Sequence, residues 1–293
     1  MVDMHMHTKY SDGDKSVKEI LEMCEEKKLE YISITDHNTC KQYEDEDLKN
    51  NKIFTEKIIK GVEMNAIFEK KKMEILGYNI RKPEIIEEWS QQFFSEKMLR
   101  KQQEDSKRKL LEICDKKGII YEEDKIETNI SLKEHITTYI YKEIMRHKQN
   151  HKILGEFAES IVIFVRKGLM NPESEYYIDN ENLPKPMYKD VIDVIHKAGG
   201  LAFLAHPFEY RFDNTLEFID ELMEENKLDG IECFHPSADE EKMQILVDYA
   251  RKNNLYISGG SDYHGKPKPT IEIGVGEGNL RIPKYYIEEW VEK

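Results

Sequence analysis

The first residues of the chain carry side chains that could bind a metal ion. Asp3, His5 and His7 stand two apart, so in a β-strand they lie on one face and the hydrophobic residues between them lie on the other. Buried polar groups without a partner cost about 1–3 kcal/mol each, and one divalent cation would satisfy all three. The alternative is an exposed N-terminal arm with incidental histidines.

Similar residues recur at the ends of later strand patterns. Six of the ten histidines stand at such ends, and carboxylates accompany them. The histidines are His5, His7, His37, His206, His235 and His264, and the carboxylates are Glu63, Glu74 and Asp262. One histidine in such a place more often has a structural role, but six of them flanked by carboxylates indicate a metal centre. Imidazole and carboxylate ligands without a thiolate are typical of Zn²⁺, Mn²⁺ or Fe²⁺ sites, and so many ligands predict two or three divalent ions.

The elements that position these residues alternate between strand and helix. Strands predicted over 58–63 and 72–78 each carry a carboxylate, and an amphipathic helix over 188–197 precedes another buried strand. Ser16 followed by Glu19 predicts a capping box at the start of the first helix. Parallel α/β barrels hold their sites at the carboxyl ends of the strands, so this order predicts such a barrel.

The middle of the chain differs in composition from its two flanks. Residues 84–182 are highly charged and mostly helical in pattern, with a helix predicted near 131–148 and a strand-like run at 161–165. We expect this segment to be a helical insertion, either a lid or a small subdomain. The barrel is then discontinuous and consists of residues 1–83 and 183–293.

Composition limits the partners of this 293-residue chain. A net charge of −14 argues against a protein that binds duplex nucleic acid, but a small phosphorylated substrate, including a nucleotide, stays compatible because bound cations reverse the local field. The four cysteines form no Cys-x-x-Cys pair, which favours free thiols in a reducing compartment. No apolar run reaches the roughly 18 residues that cross a bilayer, and the chain opens on a strand pattern rather than a signal peptide. We expect a cytoplasmic protein with no membrane partner, and the sequence does not indicate its oligomeric state.

Five motifs follow one another along the chain and together are highly specific. They are His5-x-His7 with Ser11-Asp12-Gly13, Thr35-Asp36-His37-Asn38-Thr39, Gly61-Val62-Glu63, Ala205-His206-Pro207 and Gly260-Ser261-Asp262-Tyr263-His264-Gly265. This set resembles the PHP (polymerase and histidinol phosphatase) family, and most of all its stand-alone metal-dependent phosphoesterases, which act on phosphomonoesters and 3′-phosphorylated nucleotides. The resemblance implies a distorted (β/α)7 barrel of the TIM type with a helical insertion.

The resemblance also implies a set of ligands, and His235, at a strand end outside that set, is a further candidate for the chemistry. One ion would bind His5, His7, Glu63 and Asp262, a second would share Glu63 and take His206, and a third would use Asp12, His37 and His264. Asp3 and Asp36 would orient imidazoles from outside the ligand set. Asp12 and His235 are the expected catalytic residues, with His235 either contacting phosphate or delivering a proton to the leaving group. A structural hydrogen-bonding role is the alternative for His235.

One departure from the family concerns the fourth strand. Where the family usually has a histidine, this chain has Ile75 with Glu74 beside it, so Glu74 is the expected ligand. A carboxylate there would favour a hard ion such as Mn²⁺. The alternative is a solvated carboxylate, or one that only supports a ligand.

A second departure concerns the insertion, where the family's arginine pair and its later Gly-Arg-Pro-His are replaced. The expected substrate-binding residues are Arg100, Lys107, Lys133 and His135, together with His235. Arg100 and Lys107 lie seven apart and so share a helix face that could grip a substrate phosphate. A solvated basic helix face fits these two residues equally well.

Together these residues predict a metal-dependent phosphoric ester hydrolase. Its substrate would be a phosphomonoester of a small molecule or nucleotide, such as a nucleotide 3′,5′-bisphosphate or a short oligonucleotide, attacked by a metal-bridging hydroxide. Histidinol phosphate is an alternative substrate. A metal-binding module without turnover is a rival of another class, as is hydrolysis of C–N bonds. The latter commonly needs a carboxylated lysine, and no lysine falls on an inward-facing motif strand end.

Overall fold

The chain folds into two compact units. A computed structural model describes residues 1–132, 134–178, 183–210 and 214–292. One unit joins Met1–Gln91 to Lys185–Lys293, and the other is Gln92–Pro184. All nine predicted metal ligands lie in the discontinuous first unit.

The strands of the first unit form two sheets. The first sheet is parallel and has the order β1 (Val2–Asp3), β2 (Tyr31–Ile32) and β3 (Lys57–Ile58). The second has the order β4 (Gly61–Phe68), β5 (Lys71–Tyr78), β6 (Leu201–Leu204), β7 (Gly230–Phe234) and β8 (Tyr256–Gly259). Isolated bridges pair Met6 with Tyr263 and His37 with Glu63, so the segments after β1 and β2 run beside strands of the second sheet.

The predicted all-parallel (β/α)7 barrel is not confirmed. The described residues form a mixed α/β fold in which β5 pairs antiparallel with both β4 and β6, while β6, β7 and β8 are parallel. The strand predicted over 58–63 breaks after Ile58, and β4 turns directly into β5 at Glu69 and Lys70. A two-residue turn can join only antiparallel strands, because a parallel connection needs a longer crossover.

The helices are distributed over both units. Their bounds are α1 Val17–Glu26, α2 Glu46–Lys49, α3 Pro83–Phe94, α4 Glu96–Lys117, α5 Ile136–Met145, α6 Asn150–Leu154, α7 Ile161–Ile163, α8 Tyr188–Lys197, α9 Thr215–Glu225, α10 Glu240–Lys252 and α11 Lys284–Glu288. The strand-like reading of 161–165 is wrong, because Ser160 caps α7 and a π-helical turn, Phe164–Leu169, continues it. Within the described ranges, none of the helices combines the length and hydropathy that a bilayer-spanning helix requires.

The capping box predicted at α1 is confirmed. Ser16 Oγ accepts the N–H of Glu19, and the Glu19 carboxylate accepts the N–H of Ser16 in return. The hydrophobic stripe of α1 packs with Ile32 of β2 and with Met6 and Ile34, which follow β1 and β2. This packing fixes the strands that present the first histidines.

Hydrophobic side chains pack on both faces of the second sheet. One face contacts helices α8, α9 and α10 and includes Val62, Met64 and Ile75. Strand alternation turns Glu63 and Glu74 to the opposite face, where the core includes Leu76 and aromatic residues. The face that bears the carboxylates is therefore fixed by the burial of their neighbours.

The second unit has a hydrophobic core of its own. Leu110 and Cys114 of α4 pack with Ile140 and Ile144 of α5 and with Phe164. Helix α4 ends at Gly118, whose φ of +68° closes it with a left-handed residue.

Candidate metal centre

The segment after β1 places two buried histidines at the centre of the site. The N–H of His7 donates to Tyr263 O at 2.9 Å, and Asp262 N–H donates to His5 O at 2.8 Å. Met6 between them is buried in the core. The backbone therefore holds His5, His7 and Asp262 in fixed register.

We call four residues cluster A: His5, His7, Glu63 and Asp262. Ligand atoms of the first three lie within 4.8 Å of one another, and the Asp262 carboxylate approaches both imidazoles. The Nε2 atoms of His5 and His7 are 3.1 Å apart. Each lies 3.2 Å from Glu63 Oε2, and they lie 3.5 and 3.3 Å from Asp262 Oδ1. All four side chains are at most 5% exposed.

These separations fit a bound metal ion. Four ligands held tetrahedrally at about 2.1 Å from an ion stand about 3.4 Å from one another. The distance between the two imidazoles and the four distances from them to Glu63 and Asp262 range from 3.1 to 3.5 Å and bracket that value. Nitrogen and carboxylate oxygen are also the donors that Zn²⁺, Mn²⁺ and Fe²⁺ accept in proteins.

Glu74 joins a second group, cluster B, with His37, Glu63 and His206. His206 Nε2 lies 2.9 Å from Glu63 Oε1 and 3.3 Å from Glu74 Oε2. His37 Nδ1 lies 3.2 Å from Glu63 Oε2 and 3.7 Å from Glu74 Oε1. Glu74 pairs with Asn65 across the hairpin, so it shares a face with Glu63, whereas Ile75 points into the core.

Asp12 lies in a third group, cluster C, with His7, His37 and His264. Asp12 Oδ1 is 3.2 Å from His264 Nε2, and its Oδ2 is 3.6 Å from His37 Nε2. The Asp12 side chain is 51% exposed, so this cluster opens to solvent. His37 spans two clusters, because its Nδ1 faces cluster B and its Nε2 faces cluster C.

Hydrogen bonds fix which nitrogen of three imidazoles is free to bind an ion. His5 Nδ1 is 2.9 Å from Glu232 Oε1, and His264 Nδ1 is 2.8 Å from the carbonyl oxygen of Asp262. His7 Nδ1 is 3.3 Å from Ser11 Oγ, whose own hydrogen goes to Asp36. Each Nδ1 therefore donates, and each Nε2 keeps a lone pair that faces the clusters.

His235 has the opposite arrangement. The backbone N–H of Ser237 donates to His235 Nδ1 at 3.1 Å, so in the neutral ring the proton sits on Nε2. Nε2 lies 3.3 Å from Asp262 Oδ2 and 4.0 Å from Glu209. His235, Glu209 and Asp262 form cluster D, where the imidazole presents a donor rather than a lone pair.

Charge in the metal-free centre is balanced by protons. Burial lowers the pKa of His7, but the carboxylates of Asp262 and Glu63 outweigh burial and raise it to about 9. Against the same effect of burial, Glu63, Glu232 and Asp262 raise the pKa of His5, and Tyr210, Glu63 and Glu74 raise the pKa of His206. Burial raises the pKa of Glu63, but the imidazoles beside it outweigh that effect and hold the pKa well below its usual range. The carboxylates are therefore ionised and positive charge is required among them, which is what divalent ions supply.

Glu232 is a central residue that the sequence did not reveal as functional. Its Oε1 accepts from His5 Nδ1 at 2.9 Å, and its Oε2 accepts the backbone N–H of His206 at 2.8 Å. It is fully buried and links ligands of clusters A and B. A carboxylate inside the hydrophobic strand that leads to His235 was the available signal.

The expected roles of Asp3 and Asp36 need correction. Asp3 contacts no imidazole nitrogen; its carboxylate accepts backbone N–H groups of His5, Ser261 and Gly274. Asp36 reaches His7 only through Ser11, whose hydroxyl donates to it at 2.6 Å. Asp3 therefore holds backbone segments together, and Asp36 orients the His7 imidazole only indirectly, through the Ser11 hydroxyl.

Two residues of the centre have a strained backbone. His206 has a φ of +24° and Asp262 a φ of +55°, a region that residues other than glycine rarely occupy. The backbone N–H of His206 donates to the Glu232 carboxylate, and that of Asp262 donates to His5 O; these bonds hold the two conformations. The strain turns both side chains into the clusters.

Two of the predicted substrate-binding residues of the second unit form ion pairs with nearby carboxylates. Arg100 pairs with Glu96 one turn away, and Lys107 pairs with Glu123 at 2.8 Å. His135 is an exposed residue at the start of α5. Lys133 lies outside the described residues. A role for these four in binding substrate stays a prediction.

Comparison with known proteins identifies the family. Residues 3–258 match the PHP domain family. The chain belongs to the PHP family. It is therefore a metal-dependent phosphoric ester hydrolase, as the sequence predicted.

Individual PHP relatives are similar over nearly the whole chain. A protein of Salmonella typhimurium named 5′-3′ exoribonuclease Rnm is 25% identical over 93% of this chain and 87% of its own length. A protein of Eggerthella lenta named phosphoribosyl 1,2-cyclic phosphate 1,2-diphosphodiesterase is 25% identical over 96% of this chain and 98% of its own length. A crystal structure from Bifidobacterium adolescentis, proposed to be a metal-dependent phosphoesterase, is 23% identical, covers 98% of this chain and 94% of that one, and has a TM-score of 0.65, which supports the fold.

Proposed function

We propose that this protein hydrolyses a phosphate ester of a nucleotide or short oligonucleotide with the help of two or three divalent ions. The observation that carries the proposal is the approach of Glu63 and Asp262 to the paired imidazoles of His5 and His7, at distances of 3.2 to 3.5 Å. The two relatives named above support the substrate class, since one is named for action on RNA and the other for action on a cyclic phosphate of a phosphoribosyl compound.

Clusters A, B and C would hold the ions, with Glu63 shared between A and B. Divalent ions bound there would lower the pKa of a coordinated water and offset negative charge on a phosphoryl group. Cluster C, which includes Asp12, is the most open to solvent, so we assign it the third ion, which would be the most readily lost.

The residues outside the ligand set would move protons. Hydrolysis forms a bond between water oxygen and phosphorus and breaks the bond to the ester oxygen, which then needs a proton. His235 holds a proton on Nε2 because Nδ1 accepts from Ser237, so it is suited to protonate the leaving oxygen or to contact the phosphoryl group. Ser11 and Glu232 would keep the ligand imidazoles in their binding tautomers.

The net negative charge of the chain does not exclude a nucleic-acid substrate. The expectation of no duplex nucleic acid is not supported, because relatives of similar length include a protein named an exoribonuclease. The negative charge of −14 would be offset locally by bound ions. We therefore include RNA among the substrates to be tested.

The experiment compares turnover of three substrates with added Mn²⁺: p-nitrophenyl phosphate, a nucleotide 3′,5′-bisphosphate and a short 5′-phosphorylated RNA. We expect at least one to be hydrolysed, with the activity lost on chelation and restored by metal. His7→Ala should abolish turnover and lower bound metal, whereas His151→Ala, an exposed histidine of the second unit, should change neither. Activity that survives both chelation and His7→Ala would refute the proposal. Bound metal at full occupancy with no turnover on a broad panel would favour a non-catalytic module.

Glu74 would set the preference of cluster B for a hard ion. A second carboxylate beside Glu63 favours Mn²⁺ over softer ions. Glu74→His should therefore shift the preferred ion from Mn²⁺ toward Zn²⁺, measured as metal content after growth or dialysis with both ions. An unchanged ratio would mean that Glu74 is not a ligand.

We also propose that the two sheets are parts of one distorted barrel. The bridges from Met6 to Tyr263 and from His37 to Glu63 join the first sheet to both edges of the second. Hydrogen exchange that protects the amide of His7, which donates to Tyr263 O, as strongly as sheet amides would support this closure.

A further inference from the structure

We propose that Lys268 is a substrate-binding residue, and that its ammonium and the Nε2–H of His235 form a phosphate subsite at the edge of cluster A. This deepens the proposed function and rests on it. Lys268 belongs to none of the motifs that identify the family.

Lys268 shares one carboxylate oxygen with His235. Its Nζ donates to Asp262 Oδ2, the atom that His235 Nε2 reaches at 3.3 Å. The other oxygen, Oδ1, faces His5 and His7 of cluster A. The carboxylate thus has an inner oxygen directed at the ligands and an outer oxygen that gathers two donors.

The Lys268 side chain lies where an approaching substrate would contact it. Its side chain is 38% exposed, whereas those of Asp262 and His235 are 5% and 6% exposed. The ammonium therefore stands between the buried centre and solvent.

The backbone that presents Lys268 is fixed before any substrate binds. Lys268 N–H closes a turn by donating to Gly265 O at 3.0 Å, and prolines at 267 and 269 flank it. Gly265 has a φ of +74°, and a Cβ there would stand 1.8 Å from Asp14 Oδ1. Such a rigid turn reduces the entropy lost when a ligand is bound.

Cluster D is therefore suited to an anion rather than a further metal ion. The Lys268 ammonium already occupies the outer oxygen of Asp262, and His235 presents an N–H to the cluster. Lysine is a compact point charge that binds phosphate oxygens strongly. When cluster A is loaded, the charge of Asp262 is shared with its ion, and the two donors can turn to phosphoryl oxygens.

The test compares Lys268→Met with Lys266→Met, a matched change of an exposed lysine two residues away, and with Lys268→Arg. Binding of inorganic phosphate to the Mn²⁺-loaded proteins is measured by calorimetry, bound metal by mass spectrometry, and KM and kcat with a nucleotide 3′,5′-bisphosphate. Lys268→Met should weaken phosphate binding at least about tenfold at unchanged metal content, since it removes a hydrogen bond to a charged group. Its KM should rise more than its kcat falls. Lys266→Met should match the wild type, and Lys268→Arg should recover most of the binding.

Three results would overturn the assignment. Phosphate binding by Lys268→Met equal to that of the wild type would exclude the contact, as would a wild-type protein that binds no phosphate. Loss of metal from Lys268→Met with normal phosphate binding by the loaded fraction would make Lys268 a positioning residue for Asp262 instead. Phosphate binding that depends on Lys268, in a protein that hydrolyses no ester, would leave this assignment standing and remove the proposed hydrolysis.

Discussion

Replacing Glu232 by glutamine tests how far the centre depends on a buried carboxylate outside the ligand set. Both oxygens of Glu232 accept, one from His5 Nδ1 at 2.9 Å and one from His206 N–H at 2.8 Å. Glutamine has nearly the same volume but only one accepting oxygen, since its other terminal atom is a donor. Whichever way the amide turns, one of the two hydrogen bonds is lost.

The two orientations have different costs. If the amide oxygen faces His5, the N–H of His206 is left without a partner at a backbone φ of +24°. An unsatisfied buried donor costs about 1–3 kcal/mol of unfolding free energy. If the oxygen faces His206, the amide N–H₂ meets His5 Nδ1 and forces the proton onto Nε2, where it blocks the lone pair directed at cluster A.

We expect Glu232→Gln to fold, to lose about 1–3 kcal/mol of stability in the metal-free state, and to bind metal about 10- to 100-fold more weakly. Competition with a chromophoric chelator measures the affinity, and urea unfolding of the metal-free proteins measures the stability. Glu241→Gln on the exposed face of α10 is the matched control and should match the wild type. Wild-type metal affinity in Glu232→Gln would refute the argument, because it would show that the tautomer of His5 does not depend on this carboxylate.

Three further perturbations follow from the structure. Metal binding near pH 7 should release protons, because the pKa of His7 is raised to about 9 in the metal-free protein; calorimetry in buffers of different ionisation enthalpy checks this, and an equal heat in all buffers would contradict it. Gly260→Ala should destabilise the protein by about 1–3 kcal/mol, since its Cβ would stand 2.3 Å from His5 N; thermal unfolding measures the loss, and an unchanged midpoint would count against the packing. Away from the site, the hydrogen bond to Asp229 raises the pKa of His196 above its ordinary value, so the pair stabilises the fold at pH values below that ordinary value and loses this contribution as pH rises through the raised value. His196→Gln should therefore be less stable than the wild type by about 0.5 kcal/mol near pH 5.5, a small effect because the pair is part exposed, and the difference should vanish near pH 9; a difference that grows with pH would reverse the sign of the argument.

Short-range patterns in the sequence predicted where the ligand residues stand. The alternation of polar and hydrophobic residues put His5 and His7 on one face, and runs of buried residues placed His206 and Asp262 after strands. The same alternation, combined with the hairpin register, places Glu74 on the sheet face of Glu63 and Ile75 on the opposite face. Elements with strong local signals, such as α1 and its capping box, are confirmed.

Contacts between distant residues were beyond the reach of local pattern. Glu232 and His5 are 227 residues apart, so no spacing could pair them. Asp3 was placed on the correct strand, but its partners are backbone amides near residues 261 and 274 rather than an imidazole. The prediction of an all-parallel barrel was not confirmed for a related reason. The alternation of polar and hydrophobic residues within a strand does not show whether the next strand follows through a hairpin, as β5 follows β4, or through a crossover.

The contacts of Asp3 also determine when the centre can form during synthesis. Its carboxylate is tied to amides 258 and 271 residues further along the chain, so Asp3 gains these partners only after residue 274 has been synthesised, although β1 can pair with β2 much earlier. Bringing such distant segments together costs loop-closure entropy before any contact forms to compensate for it. The contacts that hold Asp3 against the segment after β8 therefore form late, and the site is complete only when residues 261–274 are in place.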